Sequence, residues 1–431
     1  MQTFVILIFF YFFGEIKNSI RKIAPADFWQ SYTLLISVLA VLLFFVLYKL
    51  SKSRSSFNKH FFIINIGLVL FIIGDVFILF VNKKKNNDSF TKLEAGYKPC
   101  DSCAKPDIYY IILDSYASSS MMEQDFNFSN AEIENSLKQK GFHIIPGSRS
   151  NYNMTIFSVA SVFNLDYLPE MDTERTLYLR DLLPATERVY NNSLITLLEK
   201  EDYQVFNHSI FNMRNHPVTT PVFDIWDLRG LYRQYNFFFK AFHEMSYHLP
   251  TRLRYFFNDD EVVVLGRERD RLDSAIMQNI ITTSALATDG PKFVYAHFSK
   301  PHAPYTFDST GKSLPPYPVW LPHIQWKDHY VQQIVYMNKE IEKMVDTILA
   351  NAKRETVIIL QGDHGFRFFD EEYKAKEFPN FNAVYFSNQD YSLFNDSTTN
   401  VNTFRIVCNT FLKKKYPLLE NRTHFLKFKL M

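Results

Sequence analysis

The chain has 431 residues, a formal net charge of +2, and 47% hydrophobic and 17% aromatic residues. That length holds a large core and more than one structural unit, and a near-neutral charge lacks the basic excess of a nucleic-acid binder. Three cysteines, Cys100, Cys103 and Cys408, exclude a zinc site built from four cysteines of one chain.

Three apolar runs come first: 3–13, 31–48 and 61–81. A membrane-spanning helix needs roughly 20 apolar residues, so the second and third predict spans. The first is too short for a full span and predicts a partial or interfacial segment; it lacks the basic leader and cleavage site of a signal peptide. Residues 1–81 are therefore expected to form a transmembrane helical anchor. Lys49, Lys52, Arg54 and Lys59 between the two long runs favour the cytoplasmic side for that loop, placing the rest of the chain outside. Lys17, Arg21 and Lys22, and again Lys83, Lys84 and Lys85, pull the other way. Asp75 in the third run is either a functional intramembrane acid or an acid reaching interfacial water.

Residues 82–105 read as a charged linker ending near Pro106. Within it Cys100 and Cys103 have the spacing of a redox motif or half a zinc site, but no strand precedes them and no helix follows. A small local disulfide in an oxidising compartment is the expectation, with two idle thiols as the alternative.

From residue 106 to 431 strand-like and helix-like segments alternate. Strands are predicted at 108–113, 143–145, 203–206, 292–298, 356–361 and 383–386, and helices at 131–140, 193–201, 327–352 and 403–414. Several strands are unbroken apolar runs, as in sheets covered on both faces. The helix at 327–352 carries a stripe including Ile334, Ile341, Val345 and Ile348, which is core packing rather than a site. The pattern predicts an α/β domain with a mainly parallel sheet flanked by helices. Residues 223–258 form an aromatic and basic block, the densest part of an insertion over about 223–290. It suits the membrane, an acceptor, or packing against the domain.

Ligands of such sheets bind beyond the C-terminal strand ends. Asp114 ends the first strand and Asp363 and His364 end another; each is a turn residue or a metal ligand, and two such ends together favour the ligand reading. Thr155 sits where a polar loop becomes apolar and periodic. It is a helix cap, or, if Ser150 or Asn153 caps instead, a free nucleophile. His297 lies within a strand and suits core packing, with ligation as an additional role. His302 follows in a loop between Pro301 and Pro304, and suits an anionic substrate, a metal, or plain exposure.

The segments IYYIILDSYA, SNYNMTIFSVASVFNLDYL, FVYAHFSKPHAPYTFD and VIILQGDHGF, in this order, resemble the alkaline phosphatase superfamily. The likeness is to its sulfatase-like, membrane-anchored branch, with lipoteichoic acid synthases and lipid A phosphoethanolamine transferases, and covers roughly 105–415. It implies a catalytic domain over 106–431. It also implies Asp114, Asp363 and His364 as metal ligands, with Thr155 both a ligand and a nucleophile that becomes phosphorylated. His302 would contact the substrate phosphate or protonate the leaving group. One Mn²⁺, Zn²⁺ or Mg²⁺ ion is implied, since further aspartate and histidine ligands are not found and His424 lies near the end of the chain. The C/S-x-P-x-R signature of formylglycine sulfatases is absent, and Ser115 stands where sulfatases carry a second Asp. The resulting expectation is a phosphotransferase or phosphodiesterase acting on lipid or envelope glycan head groups, membrane-anchored, with its site outside the cytoplasm. The alternatives are a sulfatase-like hydrolase of phosphate or sulfate esters and a non-catalytic envelope scaffold.

Overall fold

The computed structural model describes residues 6, 9, 32–52, 62, 66, 69, 70, 73, 99–168, 171, 176, 177, 181–220, 261–314, 323–367 and 371–428. Asp75, most of the 3–13 and 61–81 runs, the linker up to 98 and the 223–258 block lie outside them. The chain divides into two compact units, one of residues 1–92, 223–261 and 431, the other of 93–222 and 262–430.

In the first unit, helix α1 (Tyr32–Lys52) covers the 31–48 run and carries Lys49 and Lys52 in its last turn. Its described side chains include exposed Leu42, Phe44 and Phe45. Among the described residues no helix is long and apolar enough to cross a membrane.

The second unit follows the predicted alternation: β1 (Asp107–Asp114), α2 (Ser119–Phe126), α3 (Ala131–Gln139), β2 (His143–Ile144), α4 (Thr155–Phe163), β3 (Thr176–Leu177), α5 (Leu182–Tyr190), α6 (Ser193–Lys200), β4 (Gln204–His208), α7 (Glu261–Ala285), β5 (Lys292–Pro301), α8 (His323–Asn351), β6 (Thr356–Gly362), β7 (Asn382–Phe386), α9 (Thr403–Phe411) and β8 (Lys427–Phe428). The main sheet has the order β2-β7-β6-β1-β5-β4, and β3 pairs with β8 in a separate ribbon. Pairing is parallel throughout β6-β1-β5-β4, whereas β7 runs antiparallel to both β6 and β2. The sheet is thus mixed, with one reversed strand. The short β3 and β8 had no sequence signal, since two residues cannot show a period.

β1 is central, and every one of its residues is buried. Its alternate side chains serve two cores, as the two-residue strand period requires. Tyr109, Ile111 and Leu113 join Ile334, Ile341, Val345 and Ile348 of α8. On the other face Tyr110 stacks on Tyr295 at 5.7 Å and meets Phe404 of α9 edge-on at 4.9 Å. Phe163 of α4 closes on Tyr295 at 4.8 Å. Each such side chain buried contributes about 1.5–3 kcal/mol. This double-sided packing fixes where β1 and β6 end. It also fixes α4 against their C-terminal edge.

Part of the segment read as insertion is α7, whose Leu272, Ile276 and Ile280 are buried in the α8-side core. Cys100 and Cys103 are joined by a disulfide. Cys408 is free and buried, and burial pushes its thiol up to about 12, so it is inert.

Candidate metal centre

β1 and β6 are hydrogen-bonded neighbours, with Leu113 opposite Gly362. Their next residues, Asp114 and Asp363, therefore emerge side by side. The register of β1 against β5 slips between Leu113 and Asp114, and Ser115 takes the left-handed conformation at φ 64°. That turn aims the Ser115 N–H at Asp363 Oδ1, 2.9 Å away, while the Ser115 hydroxyl donates to the Gly365 carbonyl at 3.2 Å. Asp363 Oδ1 also accepts from the His364 N–H at 2.9 Å.

Glycine after His364 is a packing requirement. A Cβ at Gly365 would lie 2.4 Å from the Pro379 carbonyl oxygen, and one at Gly362 2.5 Å from that of Tyr116. The end of β6 is thereby pressed against Tyr116 on one side and the 376–379 segment on the other.

His364 is fully buried. Its Nδ1 lies 2.6 Å from the Gly365 carbonyl, which only accepts, so Nδ1 carries the proton and Nε2 presents a lone pair. Burial first, then the Arg367 guanidinium, hold its pKa well below the usual range, so the ring is neutral. Its Nε2 lies 3.6 Å from Asp114 Oδ1 and 3.5 Å from Asp363 Oδ2, contacts that are not ion pairs with a neutral ring. One ligand atom each of Asp114, Asp363 and His364 falls within 4.8 Å of the others. Asp114 Oδ1 and Asp363 Oδ2 are buried without a hydrogen-bond partner. Burial and the Asp363 charge drive the Asp114 carboxyl well above its ordinary pKa. Two buried carboxylate oxygens without a partner, beside an imidazole nitrogen whose lone pair faces the Arg367 guanidinium, are donors of the kind that fit a divalent cation once that guanidinium gives way.

Thr155 is the first residue of α4, not its cap; the cap position is Met154, which makes no side-chain bond to the helix. Asn153 donates instead to Glu377 at 2.8 Å, and the Ser150 hydroxyl to the Tyr152 carbonyl at 3.0 Å, so neither caps the helix. The Thr155 hydroxyl lies 3.5 Å from His364 Nε2, and Ser158, one turn on, donates to the Asp363 carbonyl at 2.6 Å. Helix and strand end are therefore tied together at the hydroxyl.

His302 reaches the same place, its ring centre 6.4 Å from that of His364. Its Nδ1 is 2.7 Å from the Ala303 carbonyl, leaving Nε2 as an acceptor. Burial, then Arg269 and Arg367, lower its pKa well below the ordinary value. His297 is buried in β5, 3.1 Å from the Tyr295 hydroxyl and edge-on to Phe211. Burial lowers its pKa to about 4, and its Nε2 has no partner. His424 stacks on Tyr152 and stands outside the cluster.

Two arginines were not singled out from sequence. Arg269 of α7 donates to the Ala303 carbonyl at 2.5 Å and lies 3.2 Å from His302 Nδ1. Arg367 lies 2.5 Å from His364 Nε2. Arg269 is hidden in the charge run RERDR; Arg367 could have been suspected from following DHGF at the strand end.

The Sulfatase family profile matches residues 106–423. No curated protein matches the chain by sequence. Among solved structures, the integral membrane lipooligosaccharide phosphoethanolamine transferase A of Neisseria meningitidis is similar at 13% identity and a TM-score of 0.44, over 89% of this chain and 70% of that one. The periplasmic domain of EptC from Escherichia coli, in complex with Zn, is similar at 10% identity and a TM-score of 0.43, over 73% and 86%.

Proposed function

We infer that the chain, which belongs to the Sulfatase family, works as an enzyme of that sulfatase-like kind, within the alkaline phosphatase superfamily. We propose that it is a metal-dependent phosphotransferase or phosphodiesterase working through a phosphorylated Thr155. The observation that carries this reading is the convergence of Asp114, Asp363 and His364 within 4.8 Å, with the Thr155 hydroxyl 3.5 Å from His364 Nε2.

Asp114, Asp363, His364 and Thr155 would hold one Mn²⁺, Zn²⁺ or Mg²⁺ ion, which when bound supplies a Lewis acid that lowers the hydroxyl pKa and offsets phosphoryl charge. The Thr155 oxygen forms a bond to phosphorus as the bond to the leaving oxygen breaks. Water or an acceptor hydroxyl then attacks that phosphorus and releases Thr155. The uncapped first turn of α4 offers N–H donors to the phosphoryl oxygens. Neutral His302, with Nε2 unprotonated, suits the proton acceptor in the second step better than the acid of the first. Arg269 and Arg367 supply positive charge beside the transferred group.

Membrane anchoring is part of the proposal. The apolar runs 31–48 and 61–81, and the exposed Leu42, Phe44 and Phe45 of α1, support an N-terminal anchor. The basic loop at Lys49–Lys59 supports a domain outside the cytoplasmic membrane. A lipid or glycan head group would then be held at high local concentration. The family match favours ester hydrolysis as the second reading, since transfer and hydrolysis differ only in what attacks phosphorylated Thr155.

Intact-mass measurement of the full-length protein after incubation with Mn²⁺ and phospholipid tests the reading. A covalent adduct, absent in Thr155→Ala, is expected. Absence of any bound divalent ion by metal analysis, together with an unchanged Asp363→Ala protein, overturns it.

A further inference from the structure

Two loops at the metal centre, the 115–117 turn and the 301–306 loop, are both held by helix α8 through side chains three residues apart. Ser115 is the strained point of the first, at φ 64°. A residue other than glycine stays in the left-handed conformation only where its surroundings hold it there. Two of its bonds go to the end of β6: the N–H donates to Asp363 Oδ1 and the hydroxyl to the Gly365 carbonyl. A third comes from α8. The Tyr330 hydroxyl donates to the Ser115 carbonyl at 2.8 Å and accepts from the Ala117 N–H at 2.9 Å. One fully buried hydroxyl thus closes the turn as donor and as acceptor together. Burial pushes the Tyr330 pKa well above its ordinary value, so the phenol keeps the proton that it donates. Its ring also meets Phe366, two residues past His364, edge-on at 4.8 Å.

Gln333 does the same for the second loop. It is fully buried, and its Nε2 donates to the Pro301 and His302 carbonyls at 3.1 and 3.2 Å. Its Oε1 accepts from the Thr306 N–H at 2.9 Å. Residues three apart share a helix face, so one stretch of α8 fixes both loops. A buried hydroxyl and a buried amide must be paired somewhere, and pairing alone would be a packing role. Here one partner is the carbonyl of the left-handed residue, and the other is the carbonyl of His302 itself. These bonds go to main chain rather than to the centre, so each side chain acts through the loop it holds.

We propose that Tyr330 and Gln333 are positioning residues with separate duties: Tyr330 sets the turn that aims Asp363 at a cation, and Gln333 sets the loop that presents His302 to the reacting group. The proposal rests on the metal and phosphorylated-Thr155 reading above.

The test uses the full-length protein in detergent. Mn²⁺ binding is followed by calorimetry, and hydrolysis of a nitrophenyl phosphodiester by absorbance. Tyr330→Phe keeps the ring and removes the hydroxyl. It is expected to weaken Mn²⁺ binding about tenfold, and the activity it loses returns as Mn²⁺ is raised. Gln333→Met is expected to lower kcat about tenfold with KM and Mn²⁺ affinity unchanged. Glycine takes the left-handed conformation unaided, so adding Ser115→Gly to Tyr330→Phe is expected to restore Mn²⁺ binding. Ile341→Ala opens a cavity in the buried face of α8, about three turns further on. It is expected to lower the melting temperature and leave Mn²⁺ affinity and kcat where they were. If the wild type binds no Mn²⁺, the metal reading falls and takes this proposal with it. If the wild type binds and Tyr330→Phe binds equally well, or Ile341→Ala weakens binding as much, the proposal alone is overturned. It is likewise overturned if both α8 variants lose affinity and kcat alike, or if the double variant recovers nothing.

Discussion

Two acidic clusters lie at the ends of neighbouring strands and differ in one respect. At the end of β5, Lys300 is buried between Asp270 at 2.5 Å and Asp273 at 3.1 Å. Asp273 also accepts from the Ser299 N–H at 2.7 Å and its hydroxyl at 2.8 Å, and Asp270 from the Thr306 hydroxyl at 2.6 Å. Burial works against the Lys300 charge, but the two aspartates outweigh it and raise its pKa. At the ends of β1 and β6, Asp114 and Asp363 face each other across a neutral histidine with an oxygen each unpartnered. The first cluster is complete within the chain and acts as a brace. It holds the loop that carries His302, with Gln333 donating to the Pro301 carbonyl at 3.1 Å from the other side. The second leaves one buried oxygen of each aspartate without a hydrogen-bond partner. Residue types alone do not separate a brace from a site; unmet hydrogen bonds do.

The contrast is open to attack by substitution. Thr155→Ala is expected to lower kcat for a phosphodiester by at least about a thousandfold with little change in KM or in melting temperature. An activity loss matched by a loss of stability would turn Thr155 into a structural residue. Asp273→Ala should destabilise the fold by about 3 kcal/mol in urea titration, because Lys300 keeps its charge in a buried place with half its partners gone. Asp114→Asn should do the reverse when metal is chelated. Removing one of two facing charges should raise stability by about 1 kcal/mol while abolishing metal binding by elemental analysis. Equal destabilisation by both aspartate changes would erase the distinction.

A further effect concerns pH. His208 of β4 is held between the Thr219 hydroxyl at 3.0 Å and that of Thr283 at 2.9 Å, and burial lowers its pKa from 6.5 to about 4. In that interval the unfolded chain binds a proton that the folded chain does not. Stability is therefore full above 6.5 and falls as pH drops toward 4, by up to about 1.4 kcal/mol per pH unit. His208→Gln should flatten that slope in denaturant titrations at several pH values and leave activity at neutral pH unchanged.

Much of this was legible in the chain. Several strands of the main sheet, β1 and β6 above all, carry unbroken apolar runs, and burial on both faces is the reason such runs exist. Asp114, Asp363 and His364 could be found because a strand end delivers its next side chain to one edge of the sheet. The reversal of β7 was not legible: AVYF has no feature that records direction, and its partner β6 is equally apolar. Nor was the capping of α4, since Ser150, Asn153 and Thr155 all have the chemistry of a cap and Met154 takes the place. Arg269 escaped because a guanidinium in a helical charge run looks solvated until the helix is seen to lie against the His302 loop.

Asp363 Oδ1 is occupied by two backbone N–H groups, from Ser115 and His364, each at 2.9 Å. Only Oδ2 is left to give, so this carboxylate is a one-oxygen donor by construction. A cation held here would take a single oxygen from Asp363, so its remaining donors would have to come from elsewhere. The constraint comes from main-chain donors, so side-chain variation at position 115 leaves it intact as long as the left-handed turn survives.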